Sequence, residues 1–348
     1  MTDGGIAPAP REQGWTRLVL ALAAFLLLPA IPKLRAAPIL AQLCAVLPVS
    51  STLILLVPAL AACFVAGWWA GGKIWGAIGW SALSAIVLVP RFSFGIAQGL
   101  QVDPAYADLV RGWALVVAAA FGALCVLGSA RSFFVRALAA AGLAALLTLA
   151  VVAFSGGHPG TVEGAFAEHL DRENKLSGAA LEALATRLPW LRDWWSVPTA
   201  TVLPALSKYA AGLYPALMAL ETLASCAIAW ALYHRLSRAR IGAPLGALRD
   251  FHFSDQLVWG LVAGVTILLL PSLSSLRTVG LNLVAFFGVL FAVRGLGVMA
   301  WFVTRRGKPG RDVLWAAAGM VLGWVTLIAA FAIGVGDTWA NWRKKAVT

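Results

Sequence analysis

A chain of 348 residues in which 61% are hydrophobic and only 12% charged, with a mean hydropathy of +0.84, lies far from the soluble globular mix, where about 25% of residues carry charge. That balance excludes a water-soluble domain and marks an integral membrane protein. The net charge of +12 would suggest nucleic acid in a soluble protein, but here the basic residues stand in short loops between apolar runs, where they set topology and meet the lipid bilayer, so no nucleic-acid partner is expected.

Residues 1–13 mix Gly, Pro and charge without periodicity and read as a disordered lead. N-terminal transmembrane helices are expected over 14–155. The first crossing, Gly14 to Ile31, runs into Pro32-Lys33 rather than a small-residue cleavage site, so it reads as a retained helix. The apolar run from Ala36 to Ala70 is too long for one straight helix and contains Pro38, Pro48 and Pro58. It is expected as one broken or kinked helix, with a re-entrant piece followed by a full crossing as the alternative. Lys73 opens a crossing to Val89, and Gly67, Gly71, Gly72 and Gly76 give overlapping GxxxG spacings for close helix approach. Asp103-Pro104 is a helix-start or turn signal in the connection from Arg91 to Arg111. Crossings from Gly112 to Leu127 and from Phe133 to Phe154 follow, joined by a turn that Arg131 and Arg136 place in the cytoplasm.

The segment 156–198 is mildly acidic, with Glu163, Glu168, Asp171, Glu173, Glu182 and Asp193 against Arg172, Lys175, Arg187 and Arg192, and lies outside the hydrocarbon. Val162, Phe166 and Leu170, then Leu181, Leu184, Leu188 and Leu191, outline one apolar face per short helix, and Trp190, Trp194 and Trp195 suit a membrane interface. This is the expected amphipathic extracytoplasmic lid. C-terminal transmembrane helices occupy 199–348. A stretch from Thr199 to Tyr233 ends in the basic cluster His234, Arg235, Arg238 and Arg240, and a hairpin follows from Arg249 to Arg306. Its arms, Gln256 to Leu270 and Val279 to Val303, each approach the ~20 residues of a transmembrane helix, and both basic ends should face the cytoplasm. A last crossing runs from Val313 to Ile333. The fold expected is an all-α polytopic bundle of about nine crossings, with eight as the alternative, because nine leaves Arg343, Lys344 and Lys345 on the outer side.

At Phe251-His252-Phe253-Ser254-Asp255-Gln256-Leu257-Val258-Trp259, at Gly280-Leu281-Asn282-Leu283 and at Gly336-Asp337-Thr338-Trp339 ahead of Arg343-Lys344, the chain resembles the YybS-like family of uncharacterised bacterial multi-pass inner-membrane proteins. The resemblance covers residues 249–345 and implies a place in the bacterial inner (cytoplasmic) membrane. Relatives in that family are similar to the substrate-binding subunits of energy-coupling-factor vitamin transporters, which implies capture of a small molecule from the outer face. No binding residue carries over, and the early helices depart from the six-helix pattern of those subunits.

Glu221, within Ala219-Leu220-Glu221-Thr222, and Arg294, within Ala292-Val293-Arg294-Gly295, are charges set inside apolar runs. Each costs roughly 2.5–3.5 kcal/mol near mid-bilayer and so should face a partner or a wet cavity. One reading is a ligand site, with Arg294 clamping an anionic or zwitterionic solute and Glu221 as counter-charge or proton carrier. The other pairs Glu221 with Arg294 and locks two helices. Asn282 belongs to the same candidate site but suits a hydrogen bond across helices. Asp255 reads as the cap of a helix beginning near Leu257, with Phe251, Phe253 and Trp259 as interfacial anchors. Alternatively Phe251, Phe253 and Asp255 form a collar that docks another membrane subunit. His158 and His169 match no zinc spacing and read as solvated loop histidines. Cys44, Cys63, Cys125 and Cys226 stand singly in apolar runs and read as buried thiols. No metal, cofactor or catalytic residue is expected, since no HExxH, GxSxG, P-loop or properly flanked GxGxxG occurs. Binding or transport of a small solute without an ATPase of its own leads, a structural or assembly protein is the alternative, and an intramembrane enzyme comes last.

Overall fold

The computed structural model describes residues 19, 52–89, 104–127, 132–154, 162–171, 186, 211–305, 323–340 and 342–345. The first predicted crossing apart from Val19, the run from Ala36 to Ser51, His158, Cys44 and the second apolar face of the lid with its tryptophans lie outside these residues. Every regular element among the described residues is helical. They are α1 (Thr52–Trp69), α2 (Ile74–Leu88), α3 (Pro104–Leu127), α4 (Phe133–Phe154), α5 (Tyr214–Leu236), α6 (Val258–Leu269), α7 (Arg277–Arg305), α8 (Gly323–Ala340) and the short α9 (Trp342–Lys345). Four stretches among the described residues, Tyr106–Leu127, Phe133–Phe154, Tyr214–Leu236 and Pro271–Phe302, are long and apolar enough to cross a membrane. Shorter apolar helices lie at Leu53–Trp69, Ile74–Leu88, Asp255–Leu269 and Val325–Ala340.

The expected hairpin is unequal. Its first arm, α6, has 12 residues and rises about 18 Å, well short of a ~30 Å hydrocarbon core. Its second, α7, has 29 residues and rises roughly 43 Å. Between them Pro271 opens a 3-10 helix over Pro271–Leu276, as its fixed φ and missing N–H favour. In the same way Pro104 opens α3, eight residues ahead of the expected Gly112.

Two compact units divide the chain: residues 1–31, 49–148 and 222–245 in the first, and 32–48, 149–221 and 246–348 in the second. In the first unit α1 runs unbroken through Pro58, so the kink expected between Ala36 and Ala70 does not interrupt the described part. Of the glycines read as GxxxG, Gly71 and Gly72 build a tight turn, while Gly67 and Gly76 mark close approaches of α1 to α5 and of α2 to α1. Gly71 takes φ +89, open to glycine at little steric cost. Gly67 leaves room for the Tyr233 ring, and a Cβ on Gly76 would come within 2.7 Å of Phe64. Cys63, Cys125 and Cys226 are free and buried, as expected. Trp113 donates through Nε1 to the buried Thr222 hydroxyl at 2.8 Å, a polar tie between α3 and α5. Arg136 is not a loop charge. It is buried in the first turn of α4, donates to the Ile241 carbonyl at 3.0 Å and lies over the Trp230 ring at 4.8 Å.

In the second unit the helical residues 162–171 bury Val162, Phe166 and Leu170, the face that spacing four predicts, and the Phe166 and Tyr214 rings lie 5.7 Å apart. His169 is buried on the same segment, not solvated, because its place one residue before Leu170 carries it to the packed side. Backbones meet closely at two places. A Cβ on Gly264 would lie 3.0 Å from the Gly280 carbonyl oxygen, and one on Gly280 would lie 3.1 Å from that of Gly264, which joins α6 to α7. Gly295 lies against the Ala330 carbonyl and Gly334 against that of Phe291, which joins α7 to α8. Small residues let membrane helices pack at this distance.

Candidate functional site

Arg294 has two carboxylates as partners, and neither is Glu221. Its Nη1 donates to Asp255 Oδ1 at 2.7 Å and its Nε to Asp337 Oδ2 at 3.0 Å. The guanidinium lies 5.5 Å over the Phe253 ring. Arg294 and Asp337 are 3% and 4% exposed at the side chain, while Asp255 is 53% exposed. The helix-locking pair predicted between Glu221 and Arg294 is therefore replaced by a different one. Asp255 is not a helix cap, because the helical turn at Asp255–Leu257 has Ser254 as its N-cap with no side-chain hydrogen bond, and α6 has none either. A carboxylate within reach of a buried guanidinium gains more there than at an exposed helix end.

Arg343 completes a quartet. It donates to Asp337 Oδ2 at 3.2 Å and to the backbone carbonyls of Arg249 at 2.9 Å and Phe251 at 3.0 Å. The carboxy-terminal basic residues thus share an end of this unit with the Arg249 loop, contrary to the opposite sides that nine crossings would give them. Asp337 Oδ1 is buried and accepts no hydrogen bond among the described residues, so the quartet holds an acceptor that a proton or a donor could take. The aromatic collar also changes character. Phe253 is buried, 5.2 Å from Phe291 and 5.9 Å from Phe251, because it floors the guanidinium; with Asp255 engaged, two of the three residues expected to dock a partner face inward or are paired.

Asn282 does bond across helices, at a break. Residues 211 and 212 are helical, Leu213 is not, and α5 begins at Tyr214-Pro215. Pro215 has no N–H and its ring crowds the preceding turn. Where an unbroken helix would bond the Ala216 N–H to the Gly212 carbonyl, the Asn282 amide stands between them. Its Oδ1 accepts from Ala216 N at 2.9 Å and its Nδ2 donates to Gly212 O at 2.7 Å, while Nδ2 also reaches Thr278 O on its own helix at 2.8 Å. An inserted side chain is a recognised cause of such a break. Glu221 is buried further along α5. A groove of about 520 Å³ in the first unit is lined by Pro58, Ala62, Trp69, Ser84 and Gly122 among others, and by none of Arg294, Glu221 or Asn282.

Sequence reasoning missed Asp337 and Arg343 as site residues. The last crossing was ended at Ile333, which left Asp337 in a tail, whereas α8 continues to Ala340. The signal was the continuation of the run past Asp337 to Trp339 and Trp342. With this geometry fixed, residues 199–338 match a family model described as "Predicted membrane protein (DUF2232)". The chain is similar to that family across this stretch. The match covers less than half of the chain and includes Asn282, Arg294, Asp255 and Asp337. No curated protein and no solved structure matches. The coarse outcome is an integral membrane protein built of helices, with several apolar helices suited to the lipid bilayer.

Proposed function

We propose that this protein binds or transports a small solute in the bacterial inner membrane without an energy source of its own. The observation that carries the reading is the interrupted helix at Gly212–Ala216, spanned by the Asn282 amide. Broken helices line substrate sites in membrane transporters because their freed backbone groups and half-helix ends meet polar ligands. In this account Glu221 supplies the charge of the site, and the quartet of Arg294, Asp255, Asp337 and Arg343 latches the end at Arg249. Arg294 is then a latch rather than the anion clamp. The resemblance to YybS-like proteins, and through them to vitamin-capturing subunits, supports the same class. About eight crossings, or a final amphipathic turn after fewer, reconciles the carboxy terminus with the positive-inside rule.

A structural or assembly protein is the second reading, favoured by Arg294 having both its carboxylate partners in place. Purification from native membranes with mass spectrometry of what is retained separates the two. The solute reading expects a small molecule, other than lipid, that is held by the natural chain and lost from Glu221→Gln with unchanged melting. Retention of partner proteins with no small molecule would overturn it.

A further inference from the structure

The first unit carries a cationic surface, and the stretches that build that surface hold no carboxylate. No carboxylate occurs between Glu12 and Asp103, between Asp108 and Glu163, or between Glu221 and Asp250, and those stretches supply α1, α2, α4 and the part of α5 in this unit. Lys73, Arg238 and Arg240 are exposed. They are drawn together because the α1–α2 turn packs on the loop after α5: a Cβ on Gly72 would lie 3.1 Å from the Ala239 side chain.

The loop is held rigid before any ligand arrives. Tyr233 donates to the Ala239 carbonyl at 2.9 Å and Trp230 to that of Ala243 at 3.1 Å. Arg240 caps the end of α5 through the His234 carbonyl at 2.8 Å. A second observation sets the level of this surface in a bilayer. Trp68, Trp69 and Trp75 flank Lys73 and are exposed by 43%, 73% and 77%, as tryptophans at the headgroup boundary are. Cations at that depth, ringed by tryptophan and without carboxylates, find their counter-charge in lipid.

We propose that the α1–α2 turn and residues 237–243 form a headgroup-level site for the phosphate of an anionic phospholipid, with Lys73, Arg238 and Arg240 as its cations. The test is native mass spectrometry of the full chain in neutral detergent, with phosphatidylglycerol and phosphatidylcholine of matched acyl chains. Phosphatidylglycerol should be retained more tightly by about fivefold per engaged cation. Lys73→Gln with Arg238→Gln should lower that affinity by roughly twentyfold and leave phosphatidylcholine unchanged, while Lys73→Arg with Arg238→Lys should preserve it. If the glutamine variant does not fold, the natural chain decides by salt, which should weaken phosphatidylglycerol and not phosphatidylcholine. Equal retention of the two lipids, a folded glutamine variant that keeps its preference, or a salt-indifferent preference would overturn the proposal. Displacement of the lipid by inorganic phosphate at equal concentration would assign the site to soluble phosphate instead.

Discussion

Arg294, buried with carboxylates at 2.7 and 3.0 Å, makes the two acids unequal. Arg294→Ala leaves the buried Asp337, among the described residues, with only its 3.2 Å bond to Arg343 and should cost about 3 kcal/mol. Asp255→Asn removes a partner that is 53% exposed and should cost about 1 kcal/mol or less. Chemical denaturation in detergent, read by tryptophan fluorescence, checks the order; equal losses would mean that Asp337 is hydrated. Arg294→Lys should not restore stability, since one ammonium nitrogen cannot stand at both positions from which Nε and Nη1 donate. The residue scale is also where the sequence was least legible. That Arg294 needed a partner followed from its apolar neighbours. Which partner did not, because Asp255 and Asp337 lie 39 and 43 residues away and Glu221 was the acid that a single apolar run made conspicuous. Asn282 was different, since an amide inside an apolar helix has few uses other than a hydrogen bond across helices.

Asn282 and the paired glycines act through elements. Asn282→Ala leaves the Gly212 carbonyl and the Ala216 N–H without the amide that bridges them and should destabilise by about 1–3 kcal/mol. Asn282→Asp still accepts from Ala216 but sets an oxygen against the Gly212 carbonyl, so it should fall below wild type as well; a neutral Asp variant would mean that the donor half of the bridge is dispensable. Gly295→Ala or Gly334→Ala forces α7 and α8 apart, because the new methyl meets a backbone carbonyl. Either should lower the melting temperature strongly. Gly288→Ala on the same helix meets nothing within 4 Å and should be neutral or mildly stabilising; equal effects at Gly288 and Gly295 would rule out the close contact. Apolar runs bounded by charge gave Phe133–Phe154 to the residue and the arms of the hairpin to within a few residues. They could not show that α6 is too short to span, because length in sequence does not separate a helix from the 3-10 turns at its ends.

For the whole molecule, topology follows from where basic ends gather. In the first unit Lys73, Arg136 and the loop after α5 come to one end: Arg136 bonds Ile241, and the Gly72 turn meets Ala239. In the second unit Arg343 reaches the carbonyls of Arg249 and Phe251. The sequence exposed the charge conflict of nine crossings but could not show that these two basic ends meet, since they do so in a contact across 92 residues or more. Labelling of single introduced cysteines with a membrane-impermeant maleimide tests this most directly, because the described natural cysteines are buried. Arg249→Cys and Lys345→Cys should both react only after the membrane is opened, while Asn174→Cys reacts in intact cells. Reaction of Lys345→Cys and Arg249→Cys from opposite sides would contradict the shared end, the Arg343 clasp and the latch built on it.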